Sequence, residues 1–284
     1  MAIISQTGIS GISSITSTTS GIVQFYNSAG SSAQLSLGDA TVSSLNSGPI
    51  SGTRNRIING AMEFDQRNAG ASVTVNNAST YIVDRWAAQT LNSASGTGIA
   101  SLQQVTDAPS GLKSSLKCTV TTAKASPAVG DAFAIYQLIE GQNIIDFAYG
   151  TSAAKTVTFS FWVKSSLTGT FSGALRAYNA TTYRSYTFNY TINSANTWEY
   201  KTITATGDTG QVPSLDNTQG FAILFDLGNG STYQTSTLNQ WQTGNYYKST
   251  GSVSVISTLN ATFQVTGVQL EVAVSYTHLR AHET

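Results

Sequence analysis

Charge is scarce in this 284-residue sequence. Lys, Arg, Asp and Glu together supply 10% of it, against roughly 25% in an ordinary soluble domain, and 14 basic side chains balance 14 acidic ones. So neutral a chain has no broad field to draw it to nucleic acid or to an anionic membrane. Solubility falls instead to Asn, Gln, Ser, Thr and Gly, which suit a rigid β surface better than a helical one. Cysteine occurs once, at Cys118, so no intramolecular disulfide can form. Its place in the alternating run Leu116-Lys117-Cys118-Thr119-Val120 marks it as a small buried hydrophobe. No apolar stretch approaches the roughly 20 residues needed to cross a bilayer. Residues 1–7 lack the basic start and apolar run of a signal peptide, so a soluble product without membrane insertion is expected.

Histidine is nearly absent as well: the only two, His278 and His282, fall in residues 274–284. There the polar β vocabulary of the chain stops, and the whole string resembles the translation of a transposase-type sequencing adapter. It is set aside from fold reasoning as an expression scar would be, and with it a metal reading of His278, His282 and Glu283. The remaining sequence then offers no Ser-His-Asp or Cys-His arrangement and poor ligands for a transition metal. Neither phosphate-binding glycine loop is present. What is left for catalysis is a carboxylate pair of the kind used on glycans. Glu63 and Asp65 are two apart, so on a strand they would share a face, while Asp84, Glu140, Asp146, Asp208 and Asp226 are scattered. A non-enzymatic protein is expected.

What is present is strand. Residues 1–53 form a separate Ser/Gly/Thr/Ile-rich region whose only charged side chain is Asp39. Its short alternating pieces, with turn chemistry at Asn27-Ser28-Ala29-Gly30 between two of them, allow a β-hairpin. The region reads as a flexible leader or as a strand-rich stem ordered by pairing with other copies. From Arg54 onward, apolar runs of period two alternate with turn signals. Val157, Phe159, Phe161 and Val163 share one phase; so do Tyr186, Phe188, Tyr190 and Ile192, and again Phe221, Ile223, Phe225 and Leu227. Trp198 and Tyr200 alternate with Glu199 and Lys201. In residues 261–272 the phase switches at Gly267, which predicts a β-bulge. Residues 142–148 predict a short turn or helix. Many short strands with frequent turns predict an all-β protein, an antiparallel β-sandwich of the jelly-roll kind over residues 54–273.

Four motifs stand in order along that region. They are Arg54-Asn55-Arg56-Ile57-Ile58-Asn59-Gly60-Ala61-Met62 with Asp65-Gln66-Arg67-Asn68-Ala69-Gly70; Asp84-Arg85-Trp86; Gln137-Leu138-Ile139-Glu140-Gly141 leading to Thr158-Phe159-Ser160-Phe161-Trp162-Val163-Lys164; and Gly267-Val268-Gln269-Leu270-Glu271. The series resembles tail-fibre-like and virion structural proteins of marine bacteriophages, and more distantly the galactose-binding-like jelly rolls of carbohydrate-binding modules. The resemblance implies a jelly-roll fold, a virion location, a homotrimer assembled with other virion tail proteins, and a role in host-surface attachment through glycans. Such relatives continue past the Gln269-Leu270-Glu271 strand, so this copy is expected to be truncated. The resemblance also implies a structural calcium between first and last strands, for which Glu63 and Glu271 are the candidate ligands; no dense acidic loop accompanies them.

Candidate ligand contacts follow from aromatic and amide chemistry. Trp162 stands on the polar phase of its strand, either as a platform for a sugar ring or packed in a second layer. Tyr233, Trp241, Tyr246 and Tyr247 lie in an Asn/Gln/Ser/Thr-rich stretch. Flat rings beside amides suit neutral saccharides; the alternative is a loop anchored on the sandwich by its aromatics. Asp84, Arg85 and Trp86, with Asp65 and Arg67, form either a ligand rim or an Asp–Arg pair that fixes loops. Three functions remain: a glycan-attachment module of a phage appendage, a structural virion spacer or decoration, and a carboxylate-based depolymerase.

Overall fold

A computed structural model describes residues 54–92 and 97–272, all within the compact unit Ser47–Thr284. The stem or leader, its hairpin, the trimer expected of it and the adapter-like tail lie outside the described residues. The expected architecture is the observed one: two antiparallel sheets stacked as a jelly-roll sandwich. The narrow sheet runs β1 (Val73–Val75), β4 (Ile99–Val105), β5 (Ser115–Thr122), β15 (Thr262–Val272), β7 (Val157–Ser165) and β10 (Glu199–Ala205) from edge to edge. The broad sheet runs β13 (Trp241–Thr243), β9 (Tyr183–Ile192), β8 (Gly169–Tyr178), β11 (Gln219–Asp226), β6 (Ala132–Glu140), β3 (Ala87–Leu91) and β2 (Ser79–Tyr81). The chain passes repeatedly from one sheet to the other, so each sheet is built from strands distant in sequence. A small parallel pair, β12 (Gln234–Thr235) with β14 (Lys248–Ser249), lies in the loop region between β11 and β15.

Period-two alternation fills the space between the sheets. Phe159 and Phe161 of β7 meet Phe225 of β11 at 5.8 and 5.0 Å between ring centroids. Phe263 of β15 meets Phe171 of β8 at 6.1 Å, and Phe225 stacks on the fully buried Trp86 at 6.4 Å. Tilted and edge-on pairs of this kind add about 0.5–1.5 kcal/mol each beyond the area they bury. The inward set of β9, with Phe188 and Ile192 fully buried, and that of β11 lie in the same core. Cys118 is fully buried there too, and burial pushes its thiol up to about 12.

The bulge falls where the glycine predicts it. The β15–β7 register slips between Thr266 and Gln269, Gly267 has φ +60°, and Phe263, Val265, Val268 and Leu270 all face the core despite the change of phase. The short helix is a 3-10 helix, Gly141–Phe147. In β10 the alternation has the right period but places charge inward. Glu199 pairs with Val163 and Lys201 with Phe161, core-facing positions of β7, while Tyr200 lies opposite Trp162 on the outer face. An edge strand tolerates this because its inward charges reach solvent at the rim of the sandwich and block pairing with another sheet.

The four motifs converge on one junction. Arg56 N–H donates to Leu270 O at 2.9 Å, Leu270 N–H donates to Asn55 Oδ1 at 2.9 Å, and Val268 N–H donates to Gly60 O at 3.0 Å. A Cβ on Gly60 would lie 2.1 Å from Val268 O, so only glycine permits that approach. The buried Gln137 amide clamps the Ile58 peptide from both sides, accepting from its N–H and donating to its C=O, each at 2.9 Å. Trp86 Nε1 donates to Asn59 O at 3.0 Å. The motifs therefore tie the entering chain to β15 and β6, and these polar groups of theirs are spent inside the fold.

Candidate functional site

The outer face of the broad sheet is not a plain solvent face. In β6 both phases are apolar: Phe133, Ile135 and Ile139 point inward, while Ala134, Tyr136 and Leu138 point outward. Ala134, Ala174, Ala222 and Leu224 from three adjacent strands form a low floor, onto which the loop after β11 lays Tyr247, with Tyr136, Leu138 and Tyr233 packed around it. Tyr233 and Tyr247 stand 4.9 Å apart, and Gln89 Nε2 donates to the Tyr247 hydroxyl at 3.3 Å.

Asp226 holds the start of that loop. Its carboxylate accepts from the N–H groups of Gly228 and Asn229 at 2.8 and 2.9 Å and from Ser172 Oγ at 2.8 Å. Burial raises its pKa, and those donors and Lys248 only partly oppose the shift.

Beyond Leu138, at the end of the sheet, lies an open cleft of about 150 Å³, smaller than the roughly 300–1,000 Å³ of enclosed small-molecule pockets. Tyr81, Arg85, Leu138, Glu140, Asn217 and Gln219 line it. The Tyr81 ring is 45% exposed, with the Arg67 guanidinium 5.2 Å from its centroid. Arg85 sits at φ +72°, in the left-handed region that costs a residue with a Cβ about 1–2 kcal/mol. It donates from Nη2 to Glu140 Oε1 at 2.6 Å. Burial opposes ionisation of Glu140, but the bonds from Arg85 and Asn143 outweigh it and hold the carboxyl below its usual range. Gln219 is the register partner of Glu140, and its Nε2 is buried without a hydrogen-bond partner.

The residues that sequence singles out are divided among three places. Trp86 is fully buried and presents nothing to a ligand. Trp241 is packed against the core, its ring 5.5 Å from Tyr149 and 5.6 Å from Tyr186, with Nε1 donating to Thr206 O at 2.6 Å; it closes a sheet edge instead of offering a platform. Trp162 lies on the outer face of the narrow sheet beside Tyr200, at 5.3 Å, far in the topology from Tyr233 and Tyr247. Tyr247 itself is 1% exposed and forms wall rather than rim, whereas Tyr246 is half-buried over β9, its N–H bonded to Ser185 Oγ.

Asp84 lies 3.9 Å from Arg67 and accepts from Gln66 N–H, which fixes the loop bearing Arg85. Glu271 pairs with Arg54 at 3.6 Å and Glu63 is exposed. Among the described residues no group of three or more His, Cys, Asp or Glu side chains is placed to hold a metal ion, so Glu63 and Glu271 are not joined in a calcium site of that size. Tyr81, Leu138, Asn217 and Gln219 escape sequence reading; the one signal for them is the apolar outer phase of β6.

No family model matches the sequence, and no curated protein does. Among solved structures, the fold is similar to the enzymatically active domain of tailspike protein 4 of bacteriophage CBA120, at 13% identity over 78% of this chain and 22% of that one, TM-score 0.40. It is similar to a putative sugar binding protein from Bacteroides thetaiotaomicron, at 10% identity over 77% of this chain and 100% of that one, TM-score 0.44. A family 11 carbohydrate-binding module of the cellulosomal cellulase Lic26A-Cel5E of Clostridium thermocellum gives 12% identity over 74% and 99%, TM-score 0.33. Likeness at this level concerns sandwich architecture alone.

Proposed function

We propose that this chain is a non-catalytic saccharide-binding module of a phage virion appendage, serving attachment to a host-surface glycan. The observation that carries saccharide binding is the cleft. An exposed Tyr81 ring stands there with the Arg85–Glu140 pair and with Gln219, whose buried Nε2 lacks a protein partner. A flat apolar face suits the C–H side of a sugar ring. Carboxylate, guanidinium and amide groups suit its hydroxyls, and a buried donor left unmade costs about 1–3 kcal/mol, which a ligand hydroxyl removes.

The absence of turnover is part of the same reading. Glycoside hydrolysis takes two carboxyl groups across the scissile bond, and Glu140 is the one carboxylate among the described lining residues. Arg85 holds it ionised, which disfavours a role as general acid. The virion setting and a homotrimer assembled with other tail proteins rest on the resemblance of the ordered motifs between Arg54 and Glu271 to tail-fibre-like proteins.

The test is a glycan array probed with the full chain, followed by titration calorimetry on the best ligand. Tyr81→Ala and Gln219→Ala are each expected to weaken binding about tenfold or more, as loss of one good contact does. Binding unchanged in both variants, or release of reducing ends by the unmodified protein, would count against this reading.

A further inference from the structure

Among the described residues, five cations whose side chains are largely buried each have a carboxylate. Arg56 meets Asp146 at 2.5 Å; Lys124 meets Asp131, Arg184 meets Asp208 and Lys201 meets Glu199 at 2.7 Å each; and Lys164 pairs with Asp107. Arg176, toward the C-terminal end of β8 on the outer face of the broad sheet, is 9% exposed and has none among the described residues. Its surroundings are neutral. The Tyr183 ring lies 4.5 Å from the guanidinium carbon, Nη1 donates to Asn245 Oδ1 at 2.6 Å, and Tyr136, Tyr233 and Tyr247 are near enough to act on its charge. Nε is buried with no hydrogen-bond partner. A buried charge is ordinarily paired, because its removal from water costs several kcal/mol, so the exception needs an explanation.

Register supplies the second observation. Arg176 is the Cα partner of Ala222, which is the partner of Leu138 in the cleft. Arg176 and the cleft therefore lie about two strand spacings apart, ~10 Å, with the fully buried Ala222 between them along that row, in the cluster that includes Tyr247. This is the length of a disaccharide. The tyrosines around Arg176 add apolar faces and hydroxyls, and no competing negative charge.

We propose that the outer face of the broad sheet takes an acidic saccharide, with the carboxylate of one sugar on the Nε side of Arg176 while the neighbouring sugar occupies the cleft. This rests on the cleft being a saccharide site. The planar fork of a guanidinium matches a carboxylate side-on, and Nη1 is already engaged by Asn245, which leaves the Nε edge for the ligand. Nε is fully buried in this conformation, so entry requires part of the surrounding wall to move aside.

The experiment is a binding comparison with the full chain. An array of uronate- and sialate-bearing oligosaccharides is paired with their carboxyl-reduced counterparts and with sulfated neutral ones. The carboxylate form is expected to bind at least about tenfold more tightly, as a charge-assisted contact in a dry site does. In Arg176→Gln the ratio of the two affinities is expected to fall to about one. Arg176→Lys, which keeps the charge and loses the fork, guards against misfolding of the first variant and is expected to give a reduced ratio. Carboxyl-reduced or sulfated forms binding as tightly as the acid would overturn the acidic-sugar assignment and leave saccharide binding standing. An array with no bound member would overturn both.

Discussion

Glu199 and Lys201 point into the rim of the sandwich from the same side of β10, with Nζ and Oε2 2.7 Å apart. The carboxylate also accepts from the N–H groups of Asn193 and Ser194 at 2.8 and 2.9 Å. One acidic side chain thus closes the β9–β10 turn and neutralises an inward lysine, in a strand that would otherwise be a free edge beside Tyr200.

That arrangement sets a pH dependence. Burial resists the charge on Glu199, but Lys201 and the two backbone donors outweigh it and bring the pKa from 4.5 down to about 2. A folded-state value below the unfolded one means stability that is present above the unfolded value and lost as pH falls through the folded one. Glu199→Gln is therefore expected to lower the urea midpoint at pH 7, and the gap to the unmodified protein should close between pH 4.5 and 2. A gap of the same size at pH 2 and at pH 7 would show that the ionised carboxylate contributes nothing.

Gly267→Ala is expected to destabilise the fold by about 1–3 kcal/mol. The residue sits at φ +60°, and a Cβ there would lie 2.9 Å from Leu112 Cδ1 and 3.0 Å from Trp162 Cδ1. Denaturant unfolding followed by tryptophan emission measures the loss and also reports any displacement of Trp162. An unchanged midpoint would mean that the bulge does not depend on glycine.

Cys118 is expected to be inert in the folded protein. Its thiol is fully buried and pushed up to about 12, while the thiolate is the reactive form. A disulfide reagent at pH 8 should label it only after denaturant is added. Rapid labelling without denaturant would place the thiol at the surface.

Asp131→Asn should be costly, about 3–5 kcal/mol, because it strands Lys124 in the interior, whereas exchanging both ends of a buried pair is often nearly neutral. Asp131 is fully buried and also accepts from Ala128 N–H at 2.6 Å, a bond the amide oxygen can keep. Combining Asp131→Asn with Lys124→Met should therefore recover most of the loss in a urea melt. A double variant as unstable as the single one would assign the cost to the Asp131 contacts with the loop instead of to the ion pair.

Strand content, the core phases of β7, β9 and β11, the bulge at Gly267 and the burial of Cys118 were all legible in the sequence. Each depends on a local rule, either alternation or the conformational freedom of glycine, and needs no knowledge of which strand lies beside which. The aromatic residues show where that reading stops. Trp86, Trp162, Trp241 and Tyr247 look alike as rings among polar neighbours, yet the first and last are buried, Trp241 seals an edge, and Trp162 lies on the opposite sheet.

Only the tertiary structure could decide which side chains meet. Tyr81, Glu140 and Gln219 come from β2, β6 and β11, and Arg176 shares a neighbouring row with Ala222 of β11 and the cleft residue Leu138 of β6. Sheet order is set by how two amphipathic layers bury their faces against each other, a non-local choice that period-two patterns do not encode. The sequence by itself determined that the chain is an electrically neutral β-sandwich, because composition and alternation act residue by residue. The buried Arg176 without a carboxylate partner among the described residues, and the cleft near it, exist only once seven strands are placed side by side.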